Sequence, residues 1–246
     1  MTTKLSKDNS RVKFVRSVTQ YKKTRNEHDV LTVEGETLFR ETPSSLIEEV
    51  FVRDGEEHLI SLAESRSDQV FLLDEACFKS ISDVSSPSGI LALVKKPQSN
   101  RSLGNRILLL DGIQDPGNAG TLIRGAAGFH FDTVIFADAV EAYSPKVVRS
   151  SMSAIFKVNI VVTTGEELSR LIDGYPLFIL DMSGKDISGF SFPEKFVVAV
   201  GNESGGISDG LRKIADEVLS ISADGIESLN AAVAGNIAMY AASINH

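Results

Sequence analysis

The chain has 246 residues, 42% of them apolar, a formal charge of −8 and one cysteine, Cys77. That length and composition allow one large domain or two small ones with a sizeable core, while the lone cysteine excludes an internal disulfide framework and fits a reducing compartment. No apolar run reaches the roughly 18 residues of a membrane span, the basic N-terminus lacks the apolar core of a signal peptide, and the acidic balance excludes indiscriminate nucleic-acid binding; a soluble, cytoplasmic protein is expected.

The charge is uneven. Residues 1–25 hold Lys4, Lys7, Arg11, Lys13, Arg16, Lys22, Lys23 and Arg25 against Asp8. This segment reads either as a solvated, partly disordered tail or as a phosphate-contacting arm. Val12, Val15, Val18 and Tyr21 recur at helical spacing within it. Strands are then predicted at 29–34, 47–53, 70–73 and 89–95, with helices at 36–40, 56–66 and 75–81. Thr42-Pro43 stops the first of these helices. Alternating short strands and helices make a small α/β domain over residues 1–97. Residues 98–105 belong to a polar, turn-rich run with the composition of an interdomain linker.

Residues 106–246 alternate more regularly. Strands are predicted at 107–113, 133–137, 158–162, 177–181, 196–200 and 218–221. Helices are predicted at 118–129, from Ser144-Pro145 onward, and at 166–172, 211–217 and 229–244. Pro145 stands at a first helical position behind a Ser cap, and Gly174 ends the helix before it. Repeated strand-then-helix order implies a mainly parallel sheet with helices on both faces.

Three strand ends share a character. Leu110-Asp111-Gly112 leads into Asp115-Pro116-Gly117-Asn118-Ala119-Gly120; Val200 leads into Gly201-Asn202-Glu203-Ser204-Gly205-Gly206-Ile207; Ile221 leads into Ser222-Ala223 and on to Ser228-Leu229-Asn230. Glycine permits close backbone approach to a ligand, and ligands of open α/β sheets bind at such strand ends. A dinucleotide site is disfavoured: G-x-G-x-x-G is absent, and Pro116 and Asn118 stand where a pyrophosphate turn needs bare backbone. Read singly, Asn118 is a helix cap, Arg124 a solvated cation, and Glu203 and Asn230 are groups that satisfy loop backbone.

Together, the stretch Arg106–Phe131, the Gly201–Ile207 loop and the Ile221–Asn230 segment with the Ala-rich helix after it resemble the three ordered motifs of the SpoU/TrmH-type RNA ribose 2′-O-methyltransferases of the SPOUT superfamily. Ala142-Tyr143-Ser144-Pro145-Lys146-Val147-Val148-Arg149 is also typical of that family, and the likeness runs through residues 106–246. Residues 11–95, with Val33-Glu34-Gly35, resemble more weakly the ribosomal-protein-like substrate-binding domain found in one branch. The resemblance implies a C-terminal trefoil knot, S-adenosylmethionine bound within it, no metal, and a homodimer. Its implied reaction is methyl transfer to a ribose 2′-hydroxyl, with ribosomal RNA a better candidate than transfer RNA.

By position the resemblance implies catalytic roles for Asn118, Arg124, Glu203, Ser228 and Asn230. Cofactor contacts fall to Gly201, Ile221 and Leu229, and RNA-phosphate contacts to Lys146 and Arg149. The resemblance implies Arg124 as the base, helped by a nearby phosphate; because a guanidinium stays protonated, Arg124 is read first as a phosphate clamp that polarises the hydroxyl, and whether it also takes the proton stays open. Asn118 orients Arg124 or the ribose, and Glu203 holds Arg124 or balances charge. Small residues Ala231, Ala232, Ala234, Gly235 and Ala238 fit either a dimer contact or a helix buried within one subunit. The third motif departs from the family: Ser222-Ala223 replace a usual Pro-Met, and one residue is missing between Gly225 and Glu227. These changes motivate the alternative of an RNA-binding SPOUT-fold protein with lost or weakened catalysis.

Overall fold

The computed structural model describes residues 2–100, 102–223 and 228–244. Arg101 of the expected linker, and Gly225 and Glu227 of the third motif, lie outside them. The chain forms two compact units: one is the chain up to Gln98 with Tyr143–Arg149, the other is Ser99–Ala142 with the chain from Ser150 onward.

In the first unit a two-residue strand, β1 (Thr3–Lys4), precedes helices α1 (Ser10–Gln20) and α2 (Lys22–Glu27). Then follow β2 (Val30–Glu34), α3 (Glu36–Glu41), β3 (Ile47–Arg53), α4 (Glu57–Glu64), β4 (Val70–Leu73), α5 (Glu75–Ile81) and β5 (Ile90–Lys95). The sheet order is β1-β4-β3-β5-β2. β1, β4 and β3 run parallel, and β5 is antiparallel to β3 and β2.

The basic N-terminal segment is not a solvated tail. Val12, Val15 and Val18 of α1 are buried in one core with Phe51, Phe71 and Phe78. Asn9 caps α1, its side chain accepting from Arg11 N–H at 2.9 Å. Buried Arg25 donates to the carbonyls of Val18 and Thr19, satisfying groups that the end of α1 leaves open. Tyr21, expected on the apolar face, instead sits exposed at the break between the two helices. Lys4, Arg11, Lys13 and Lys23 pair with Asp54, Glu49, Asp8 and Glu27.

The second unit opens with β6 (Arg106–Asp111) and α6 (Pro116–Gly128), followed by β7 (Thr133–Ala137). Helix α7 (Pro145–Ser151) straddles the chain division and runs into a 3-10 turn at Met152–Phe156. Next come β8 (Asn159–Thr163), α8 (Gly165–Leu171), β9 (Leu177–Asp186), β10 (Phe196–Gly201), α9 (Asp209–Ile214), β11 (Glu217–Ser220) and α10 (Ala231–Ile244). The six strands are all parallel, in the order β11-β9-β10-β6-β7-β8. Their apolar runs are buried almost without interruption, as a sheet covered on both faces requires. Gly174 follows α8 at a φ of 75°, in the left-handed region that stops a helix at glycine.

Two elements of this unit depart from the sequence expectation by more than two residues at one end. β9 continues five residues past Asp181, because its second half pairs with β11 beyond an irregularity at Val218/Leu219. The helix expected at 211–217 ends at Ile214, and Glu217 already belongs to β11.

Strand order decides where the site forms. β10 lies beside β6 with Gly201 opposite Asp111, so the loops after these strands emerge together. α10 packs back on α6 and β10. A Cβ at Gly235 would stand 2.4 Å from Leu122 Cδ2, and one at Gly125 would stand 2.0 Å from Asn236 Oδ1. Glycines at these two positions let the helices approach this closely.

Candidate active site

Asp115, not Asn118, caps α6. Its side chain accepts from the Asn118 N–H at 2.8 Å, and Pro116 takes the first helical position, where a missing N–H costs nothing. The Asn118 side chain is thereby left for other partners. Its amide donates to Glu203 Oε1 at 2.6 Å, and its Oδ1 accepts from Asn230 Nδ2 at 3.1 Å. The carbonyl oxygen of the Asn230 side chain in turn accepts from the N–H groups of Ala232 and Val233 at 2.9 and 3.2 Å, capping α10.

This chain of bonds has one direction. An N-cap must offer oxygen to the helix, so the Asn230 amide nitrogen faces Asn118. Asn118 must then accept with oxygen and donate with nitrogen, and a carboxylate is the natural terminus. The network therefore runs from the N-terminus of α10 to Glu203 and joins all three motif segments.

The loop after β10 is held firmly. Asn202 Nδ2 donates to the Gly112 carbonyl at 2.7 Å, while its Oδ1 accepts from Ser204 and Gly205. Asn202 and Gly206 exchange backbone hydrogen bonds, and Ser208 N–H donates to Asp111 Oδ2 at 2.6 Å. A Cβ at Gly201 would lie 2.3 Å from the Gly206 carbonyl carbon, so no side chain fits there.

Beside this network lies a cleft of about 590 Å³ where the middle of β9 passes the ends of β10 and β11. Gly201, Glu203, Ile221, Ser228, Leu229 and Asn230 all line it. The altered third motif is anchored within it: Ser222 Oγ donates to Asp186 Oδ2 at 2.5 Å. Ser188 and then Ser222 hold the Asp186 carboxyl down at about 2. This hydroxyl-to-carboxylate tether fixes Ser222, at the position where the family usually has a proline.

The remaining residues are placed differently. Arg124 is exposed on α6 and makes no hydrogen bond or ion pair with another described residue. Of the two roles expected for Glu203, holding Arg124 has no contact behind it among the described residues; its hydrogen-bond partner is Asn118. Arg149 is ion-paired with Asp83 in the first unit, an intramolecular partner that competes with the expected phosphate contact. Lys146 is exposed on the same helix. Asp115, Asp181, Asp186 and Asn202 carry roles that the sequence reading did not assign. The signal for Asp181 was its place at the end of a predicted strand.

Comparison with known proteins gives a consistent result. A family model described as the SpoU rRNA Methylase family matches residues 105–240. The chain is 30% identical over 229 residues to the 23S rRNA (guanosine(2553)-2′-O)-methyltransferase RlmP of Bacillus subtilis, covering 89% of this chain and 90% of that one. A Porphyromonas gingivalis structure described as a putative RNA methyltransferase of the TrmH family superposes with a TM-score of 0.84 at 28% identity, covering 97% of this chain and 98% of that one. The AdoMet-bound rRNA methyltransferase of Sinorhizobium meliloti, at 24% identity, shares the fold with a TM-score of 0.83 over 98% of this chain and 97% of that one.

Proposed function

The chain belongs to the SpoU rRNA methylase family, and we propose from its site that it transfers a methyl group from S-adenosylmethionine to a ribose 2′-hydroxyl of ribosomal RNA. The observation that carries this reading is the Asn230–Asn118–Glu203 chain at the edge of the cleft. It unites polar groups of three motifs at the strand ends, where α/β sheets bind ligands.

The cleft fits the cofactor. Its volume lies within the range of small-molecule sites, and Leu180, Val200, Leu219 and Ile221 offer apolar surface beside the open backbone of Gly201. When bound, the cofactor supplies an electrophilic methyl group on a sulfonium. Gly201, Ile221 and Leu229 would hold it.

Asn118 fixes the carboxylate of Glu203, which can then accept a hydrogen bond from the ribose hydroxyl and take up its proton as the methyl group is transferred to the oxygen. Arg124, exposed and not engaged by a described neighbour, would clamp the adjoining phosphate. As a permanent cation it would polarise the hydroxyl without serving as its base. Ser228 would complete the polar rim, and Lys146, with Arg149 after release from Asp83, would meet further phosphates. Fixed alignment of such groups contributes several kcal/mol of barrier lowering. The Ser222–Asp186 tether favours this active reading over a protein that retains only RNA binding.

The finer architecture belongs to the same reading. Residues 1–97 would serve as the RNA-recognition domain, 98–105 as a linker and 106–246 as the catalytic domain, working in the cytoplasm. The return of α10 across α6 and β10 supports a trefoil knot. A homodimer is supported by α10. Its Ala231, Ala232, Gly235, Ala238 and Ala242 face inward, so these small residues serve packing within one subunit. Val233, Ile237, Tyr240 and Ile244 remain exposed at intervals of four, three and four, which is the seam of a helix pair.

Mapping of ribose methylation by mass spectrometry in RNA from cells lacking the protein tests the activity. One ribosomal 2′-O-methyl group should disappear and return with the intact gene. An unchanged ribosomal RNA methylation map would overturn the reading.

A further inference from the structure

We infer that Asp181 makes the cleft select its cationic methyl donor over the neutral demethylated product. This rests on the cofactor reading above and adds a specificity-determining residue to it.

Asp181 lines the cleft where β9 passes the ends of β10 and β11. Its position is fixed on both oxygens. Oδ1 accepts from the Ser183 N–H and hydroxyl at 3.0 and 2.7 Å, and Oδ2 accepts from Arg212 Nη2 at 2.5 Å. Arg212 also donates from Nε to the Ile207 carbonyl at 3.1 Å, tying Asp181 to the far end of the β10 loop. The Ser183 bonds, then Arg212, hold the Asp181 carboxyl down at about 2, so it is charged wherever the protein is folded and active.

Among the described residues, Asp181 and Glu203 are the two charged groups lining the cleft, and no lysine, arginine or histidine does so. Counting Arg212 behind Asp181, the balance is still one negative charge. S-adenosylmethionine carries a sulfonium and an ammonium against one carboxylate. Transfer of its methyl group leaves a thioether, so the product is neutral overall and nearly the same shape. A cleft of this sign favours the donor and weakens its hold on the product once the reaction has removed the charge.

Calorimetry on the full chain with three ligands of similar shape tests this. S-adenosylmethionine and sinefungin, whose ammonium-bearing carbon replaces the sulfonium, are cationic; S-adenosylhomocysteine is neutral. Asp181→Asn should weaken both cationic ligands about fivefold and the neutral one less than twofold, as expected for one partly screened charge contact. Arg212→Gln, which unmasks the carboxylate, should shift the preference the other way. With the wild-type protein alone, raising salt should narrow the preference between S-adenosylmethionine and S-adenosylhomocysteine. Equal weakening of all three ligands by Asp181→Asn, or a preference indifferent to salt, would overturn the inference while leaving the cofactor reading intact. Failure of the wild-type chain to bind any of the three would remove the cofactor reading, and this inference with it.

Discussion

The side-chain amide of Asn118 donates to Glu203 Oε1 at 2.6 Å across 85 residues of chain. That bond exists because Asp115 has taken over the capping of α6 and because β10 lies beside β6. It fixes one carboxylate oxygen, Oε1, and no other described side chain hydrogen-bonds the second. Asn118→Ala should lower the methyl-transfer rate by roughly 10²-fold, the scale on which a positioned polar group acts in the transition state. Cofactor affinity should change less than threefold. Single-turnover methylation with calorimetry checks both; a large loss of cofactor binding with an unchanged rate at saturation would contradict the assignment.

Arg124 is expected to act on RNA rather than on the cofactor. Arg124→Ala should leave S-adenosylmethionine affinity nearly intact and abolish methylation. Arg124→Lys should retain a measurable rate, since lysine also binds phosphate, though as a point charge. If Arg124→Ala instead removes cofactor binding, the clamp role is wrong.

Two glycines separate backbone from side-chain crowding. Gly201→Ala would drive a Cβ to 2.3 Å from the Gly206 carbonyl carbon, where neither strand nor loop can yield. Gly235→Ala meets Leu122 Cδ2 at 2.4 Å and Val200 Cγ2 at 3.0 Å, side-chain atoms that can move. Overpacking of this kind costs roughly 1–3 kcal/mol. Gly201→Ala should lie at the upper end and lose cofactor binding; Gly235→Ala should lie at the lower end and keep it. Urea denaturation and ligand-induced thermal shifts give the comparison.

The apolar seam of α10 predicts its own disruption. Tyr240, 52% exposed and edge-on to Phe129, stands with Ile237 in the middle of the stripe. Ile237→Glu should place an unpaired charge in that seam and convert a dimer to a monomer at micromolar concentration in sedimentation velocity, with the helix content unchanged. A wild-type chain that sediments as a monomer would remove the proposed pairing.

Glu34 predicts a pH effect on stability. Burial raises its carboxyl above the ordinary 4.5, opposed by hydrogen bonds from Ser82 and Ser88. The folded state therefore holds this proton more tightly than the unfolded chain does. Its contribution favours folding at low pH and is lost as pH rises through the folded value. Glu34→Gln removes that dependence, so its urea midpoint should improve relative to wild type as pH is raised from 4 to 7. Parallel curves for the two proteins would contradict this.

Much of the fold was legible in the sequence. The strands at Val70–Leu73, Thr133–Ala137 and Phe196–Gly201 are short apolar runs bounded by turn residues, and nearly all their positions are buried; Ile47–Arg53 is buried only at its apolar centre, Val50-Phe51-Val52. Other elements carried no local signal. β1 is two polar residues made a strand only by Phe71 and Leu72 beside it. The second half of β9 is polar and is held by β11. At α6 the signal was present but outweighed: Asn118 and Asp115 are both good caps, and Pro116 at the first helical position identifies Asp115.

The sequence by itself determined the order of elements and the chemical kinds of group at three strand ends, because apolar periodicity, proline and glycine act through local sterics and burial. Tertiary structure decided which of those groups meet. Asn118 reaches Glu203 and Asn230 across 85 and 112 residues, and Asp181 enters the cleft, only because the β11-β9-β10-β6 order brings those strand ends together. It also decided that Ala231, Ala232, Ala238 and Ala242 of α10 are buried while Val233, Ile237 and Tyr240 face outward. Small residues allow close packing on any partner, and only the position of α6 and β10 determines which partner it is.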